Sequence, residues 1–132
     1  MKLHAPDLSH LNTVTALAEN YVDINRQRYT HSIIVSPQTA VQPWPVASFK
    51  QLHTDDLTPL LALQPEIVLL GTGHKQHFAH PRLLQALLAQ RIGVECMDTA
   101  AACRTYNILM AEGRKVVAAL ILEPREIQQE RS

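Results

Sequence analysis

Glu66-Ile67-Val68-Leu69-Leu70-Gly71-Thr72-Gly73 passes from one polar residue through four consecutive apolar side chains to a Gly-Thr-Gly turn. A strand with one wet face alternates apolar and polar residues, whereas an unbroken apolar run closed by turn residues suits a strand covered on both faces. The stretch is predicted to lie centrally in a parallel sheet. Val116 to Leu122 is a second wholly apolar run, and Val94 to Met97 supplies a further strand between the two.

The intervening segments read as helices. Pro81 suits a first helical position, and Leu83, Leu84, Leu87 and Leu88 share one face before Gly93 resets the chain. Asp98 or Thr99 can cap a helix that continues to about Glu112, with Gly113 placed to end it in a left-handed conformation. Its inner face should carry Ala102, Tyr106, Leu109 and Met110. Strand, helix, strand, helix, strand implies right-handed parallel crossovers and an α/β class.

The first third has a β texture. Thr13 to Ala18, Tyr21 to Ile24 and Tyr29 to Ser36 are rich in β-branched or aromatic residues, and Asn25-Arg26-Gln27-Arg28 reads as the polar turn of an antiparallel hairpin joining the last two. Pro37, Pro43 and Pro45 donate no backbone hydrogen bond, so the segment around Trp44 is expected to cross the surface irregularly. Thr54, followed by Asp55 and Asp56, is expected to cap a short helix to about Gln64, with Pro59 its weak point.

At 132 residues the chain suits one domain, which buries roughly two thirds of its unfolded surface. We expect an ordered core over about 13–122 and a polar tail, 123–132, that frays. Twelve Lys plus Arg against twelve Asp plus Glu give zero formal charge, so no overall field favours nucleic acid or an anionic membrane. No apolar run approaches the roughly 20 residues of a bilayer span, and Met1 to Asn20 lacks the pattern of a signal peptide. The expected compartment is the cytoplasm, with Cys96 and Cys103 as reduced thiols.

Open parallel sheets bind ligands at the carboxyl ends of their strands. Here that rim should hold Gly71, Thr72 and Gly73, then Asp98, Thr99 and Arg104, whose donors suit a carboxylate or phosphate. The Gly-Thr-Gly segment is neither a full dinucleotide fingerprint nor a P-loop, so a tight turn is the favoured reading and an anion site its rival. Cys103, early in its helix and next to Arg104, has features that favour a thiolate, yet no base adjoins it in sequence; a buried structural thiol is favoured.

His74, His77 and His80 recur every three residues, but one histidine loop does not guarantee converging metal ligands, so a solvated loop is favoured and no metal or cofactor is expected. Tyr106 and Asn107 either line a pocket or, as favoured, place a hydrogen-bonded hydroxyl in the core and an amide on a neighbouring loop. Trp44 is the exposed aromatic to be expected here, and an interface anchor and a cap on the core edge stand level for it.

Three segments taken together carry a family likeness: Glu66 to Gly73, Gly93-Val94-Glu95-Cys96-Met97-Asp98-Thr99-Ala100-Ala101-Ala102-Cys103-Arg104-Thr105-Tyr106-Asn107, and Glu112-Gly113-Arg114 before the last strand. They resemble the small bacterial and archaeal domain-of-unknown-function family that includes the mitochondrial assembly factor three of respiratory complex I. The resemblance covers roughly Thr13 to Leu122 and implies a three-layer α/β fold around a mixed sheet. It also implies a non-catalytic assembly factor acting through protein partners, with no reaction, cofactor or catalytic set to carry over.

Overall fold

Two sheets organise the chain. The computed structural model describes residues 9–124, of which β1 (Val14–Ala18), β2 (Tyr21–Ile24) and β3 (Gln27–Tyr29) form an antiparallel sheet in that order. A mixed sheet combines β4 (Ile33–Val35), β5 (Gln42–Pro43), β6 (Ile67–Gly71), β7 (Gly93–Met97) and β8 (Val116–Leu120) in the order β5-β4-β8-β6-β7. The two apolar runs that decide the fold are parallel neighbours, with Ile67 opposite Val116 and Gly71 opposite Leu120. β7 extends the parallel set beyond β6, and β4 runs antiparallel to β8.

The pleat sends successive residues of these strands to opposite faces, and both faces are buried. Leu69, Val116, Ala118 and Leu120 pack towards Ala102, Cys103, Tyr106 and Met110 of α2 (Thr99–Ala111) and towards Val22 and Ile24 of the smaller sheet. Val68, Leu70, Val117 and Ala119 pack on the other side against Trp44, Leu57, Leu60 and Leu87. The result is a three-layer α/β fold around the mixed sheet.

α2 ends as its sequence specifies. The Asp98 carboxylate accepts the Ala101 N–H at 2.8 Å, and Gly113, at φ 82°, lets the Gly113 and Arg114 amides bond back to Met110 and Leu109. A shorter helix, α1 (Gln85–Ala89), lies in the preceding crossover. The helix expected from Pro81 is therefore cut down: 81–84 is a turn, Leu84 and Leu87 are buried, and Leu88 is exposed. It ends at Ala89, and Arg91 rather than Gly93 resets the chain, because Arg91 adopts φ 61° and the Arg91 and Ile92 amides bond back to Leu88 and Leu87.

Other early expectations are corrected. The hairpin turn has two residues, Asn25 and Arg26 at φ 51° and 69°, and joins β2 to β3 rather than to one long strand from Tyr29 to Ser36. That run splits because Ile33-Ile34-Val35 is buried throughout and enters the larger sheet. Pro43 is tolerated in β5, an edge strand. In place of one helix from Thr54 there are two 3₁₀ segments, Thr54–Asp56 and Thr58–Leu63; His53 precedes the first and donates its amide to the Asp56 carboxylate at 2.8 Å. Pro59 sits at the start of the second, where a missing N–H costs least.

Trp44 does not cross the surface: the side chain is 3% exposed and its Nε1–H donates to the Asp56 carbonyl at 2.9 Å. Pro43 pairs with Ile33, Trp44 still donates its N–H to the Ser32 carbonyl, and the indole packs inward against Val68 and Leu70. Glu123, assigned to a fraying tail, accepts the His74 amide at 2.9 Å. The rest of that tail, 125–132, lies outside the described residues.

Candidate functional site

The ends of β6 and β8, the start of α2 and the β1–β2 turn meet at one rim. Thr99 holds three of these together: its hydroxyl donates to the Ile121 carbonyl at 2.7 Å and accepts the Gly73 amide at 2.9 Å, while its own N–H donates to the Gly73 carbonyl. Close packing here explains Gly71, since a Cβ would lie 3.0 Å from the Thr99 hydroxyl and 3.1 Å from the Thr99 Cα. Gly73, at φ 103°, holds a backbone conformation that a side chain would strain, and a Cβ there would displace the Glu123 carboxylate.

Thr72 is fully buried and completes a self-contained turn. Its hydroxyl donates to the Lys75 carbonyl at 2.7 Å and accepts the His77 amide at 3.1 Å. His74 links the layers, with Nε2 3.0 Å from the Glu19 carbonyl and Nδ1 3.6 Å from the Glu123 carboxylate. Ser32, just before β4, donates to the Val46 carbonyl and accepts the Leu122 amide. Polar side chains at this rim thus serve the fold.

Beside these residues a cavity of about 440 Å³ opens between β1 and α2, with Leu17, Ala100 and Leu122 as apolar walls and Glu19, His74 and Asp98 among its polar ones. Gly73, Asp98 and Thr99 of the predicted rim line it; Gly71 and Thr72 do not. Arg104 is also absent from its walls and stands exposed on α2, so the one cation expected to hold an anion is not delivered. Acidic groups at the cavity and the Asp98 cap on the helix amides make the location unfavourable for a phosphate or carboxylate.

The remaining candidates separate. Tyr106 is buried with its hydroxyl donating to the Asn12 carbonyl at 2.8 Å, and burial pushes its pKa upwards. Asn107 binds the backbone of Val14 through both ends of its amide. Burial pushes the Cys103 thiol up to about 12, opposed only in part by Arg104, so it is no ready nucleophile. His77 stacks on Phe49 with ring centroids 4.6 Å apart, and His80 Nδ1 accepts the Arg82 amide. Among the described residues no three His, Cys, Asp or Glu side chains converge on a metal position, and no helix is long and apolar enough to cross a membrane.

Besides Leu88, sequence reading missed three exposed apolar side chains, among them Ile108 on α2. Phe78, in the loop after β6, is 81% exposed, and Leu17 is 37% exposed beside the cavity. A lone aromatic in a polar, histidine-bearing loop was the available signal for Phe78. For Leu17 the alternation of Thr13 to Ala18 was the available signal, since it sets Leu17 on the face of Thr15, although an irregular register between Val14 and Ala16 also leaves Ala16 exposed.

Residues 14–121 match the model of the family described as Protein of unknown function (DUF498/DUF598). The chain is 43% identical over 95 residues to NADH dehydrogenase (ubiquinone) 1 alpha subcomplex assembly factor 3 of Mus musculus, an alignment that takes in 70% of this chain and 51% of that protein. It therefore spans about half the length of that relative. A crystal structure of a Bordetella parapertussis protein superposes with a TM-score of 0.82 at 46% identity, covering 86% of this chain and 97% of the other. The solution structure of a Bordetella pertussis protein, a Mth938-like domain, gives a TM-score of 0.82 at 37% identity, covering 99% and 98%. The sheet order, the family match and these neighbours agree: the chain belongs to the DUF498/DUF598 family and has a Mth938-like fold.

Proposed function

We propose that this chain is a non-catalytic protein-interaction domain that works in the assembly of a multi-subunit complex, as the name of its mouse relative says of that protein. The observation that carries the reading is the 43% identity to that assembly factor over 95 residues. It is supported by the rim itself, where the hydroxyls of Thr72 and Thr99 are consumed by backbone bonds and the Cys103 thiol is raised by burial. Its partners are proteins, reached through exposed apolar side chains such as Phe78 and Leu17. The zero net charge offers nucleic acid no attraction, and the expected place of action is the cytoplasm.

Depletion of the chain from its own cell, followed by native electrophoresis of the NADH dehydrogenase, tests the reading. Partly assembled forms should accumulate, and both the wild-type chain and Cys103→Ala should restore the full-size enzyme. An undisturbed assembly profile, together with a turnover that depends on Cys103, would overturn the proposal.

A further inference from the structure

The geometry points to the outer edge of β1, where it borders the cavity, as a docking site for an extended segment of a protein partner that carries an apolar residue with Lys or Arg two positions away. The inference rests on the interaction reading above and assigns it a place.

Hydrogen-bonding direction alternates along an antiparallel pair. Ala18 opposite Tyr21 closes the two-residue turn, so Ala18 points its N–H and C=O at β2 and Leu17 points its own away. The register shift between Val14 and Ala16 resets the alternation, so Val14 also points outward, and there the Asn107 amide meets it at 2.9 and 2.8 Å. Asn107 thereby acts as one residue of a neighbouring strand.

The second outward position lacks such a partner. Ala100 precedes Asn107 on α2 by seven residues, two turns or about 10 Å on the same helix face. Val14 to Leu17 spans about the same 10 Å along β1. A methyl group at Ala100 cannot reach Leu17 as the Asn107 amide reaches Val14, and the cavity of about 440 Å³ occupies the gap. No hydrogen bond joins the outward N–H and C=O of Leu17 to another described residue.

This unfilled ladder position and cavity suit β-strand addition, in which main-chain bonds supply affinity and a pocket receives alternate side chains. Walls from Leu17, Ala100 and Leu122 select an apolar side chain. Residues two positions away share its face, and Glu19 and Asp98 at the cavity make those positions favourable for cations. His74 is the other ionisable group there, with its ring committed to Glu19 and Glu123.

Selection of a random-peptide library on the full chain, with amide NMR mapping of the enriched peptides, tests the inference. Enriched sequences should share an apolar residue with Lys or Arg two positions away, shift the Leu17, Gly73 and Thr99 amides, and slow exchange of the Leu17 N–H. Glu19→Lys should weaken them by at least about tenfold. Absence of enrichment, a preference for acidic peptides, or mapping onto another face such as the Phe78 loop would overturn it. If Glu19→Lys still restores complex assembly in the depleted cell while no peptide docks at β1, the strand edge is refuted and the assembly reading stands.

Discussion

Asn107 holds Val14 by both of its backbone groups: Oδ1 accepts the Val14 N–H at 2.9 Å and Nδ2 donates to the Val14 carbonyl at 2.8 Å. The two residues are 93 positions apart, so this one amide ties the smaller sheet to the helix over the larger one. Asn107→Ala should cost about 1–3 kcal/mol, the penalty for leaving such groups unpaired, and should lower the thermal midpoint. Hydrogen exchange at Val14 should accelerate ahead of exchange in β6. An unchanged midpoint would show that the tie carries no stability.

Trp44 offers a contrast between volume and hydrogen bonding. Trp44→Ala removes a side chain that is 3% exposed and should destabilise by about 3–5 kcal/mol in urea denaturation. Trp44→Phe should cost less, because it keeps most of the volume and loses chiefly the bond to the Asp56 carbonyl. Equal effects would mean that the bond, not the volume, dominates.

Gly71 is held to its size by its neighbours. Gly71→Ala would place a Cβ 3.1 Å from the Thr99 backbone and should lower stability by at least about 1 kcal/mol, with the largest NMR shifts at Thr99 and Leu120. Stabilisation by the substitution would contradict the close packing described at the rim.

The Cys103 thiol and the Tyr106 hydroxyl are both pushed up by burial, Cys103 from 9.0 to about 12. Each is an acid kept neutral by the fold, so its contribution is complete below the unfolded value and is lost as pH rises through the folded one. The urea midpoint should therefore fall progressively above pH 9, first from Cys103, whose share is lost by about 12, and then from Tyr106 above pH 10.0, and Cys103→Ala should shallow the early part of that fall. Thiol reagents should modify the half-buried Cys96 in the native chain and reach Cys103 only on unfolding.

Ile67 to Leu70 and Val116 to Leu122 were legible because burial on both faces leaves a continuous apolar signature, and α2 was legible because Asp98 and Gly113 mark its ends with side-chain and backbone chemistry. The first third was less so. Asn25 and Arg26 adopt positive φ without a glycine, and Arg91 ends α1 the same way, so packing sets these turns more than residue type. Site reading placed Gly73, Asp98 and Thr99 together, yet could not see that Arg104 faces away or that Trp44 turns inward. Both depend on side-chain direction across elements far apart in sequence.

The most direct test of the interaction account is quantitative capture of the tagged chain from its own cell, run beside Arg104→Ala and a thermal-shift screen of anionic metabolites. The account predicts that wild type and Arg104→Ala hold the same protein in comparable amount and that no such metabolite raises the melting temperature. Recovery of the chain alone, with a metabolite-induced rise in melting temperature that disappears in Arg104→Ala, would contradict it.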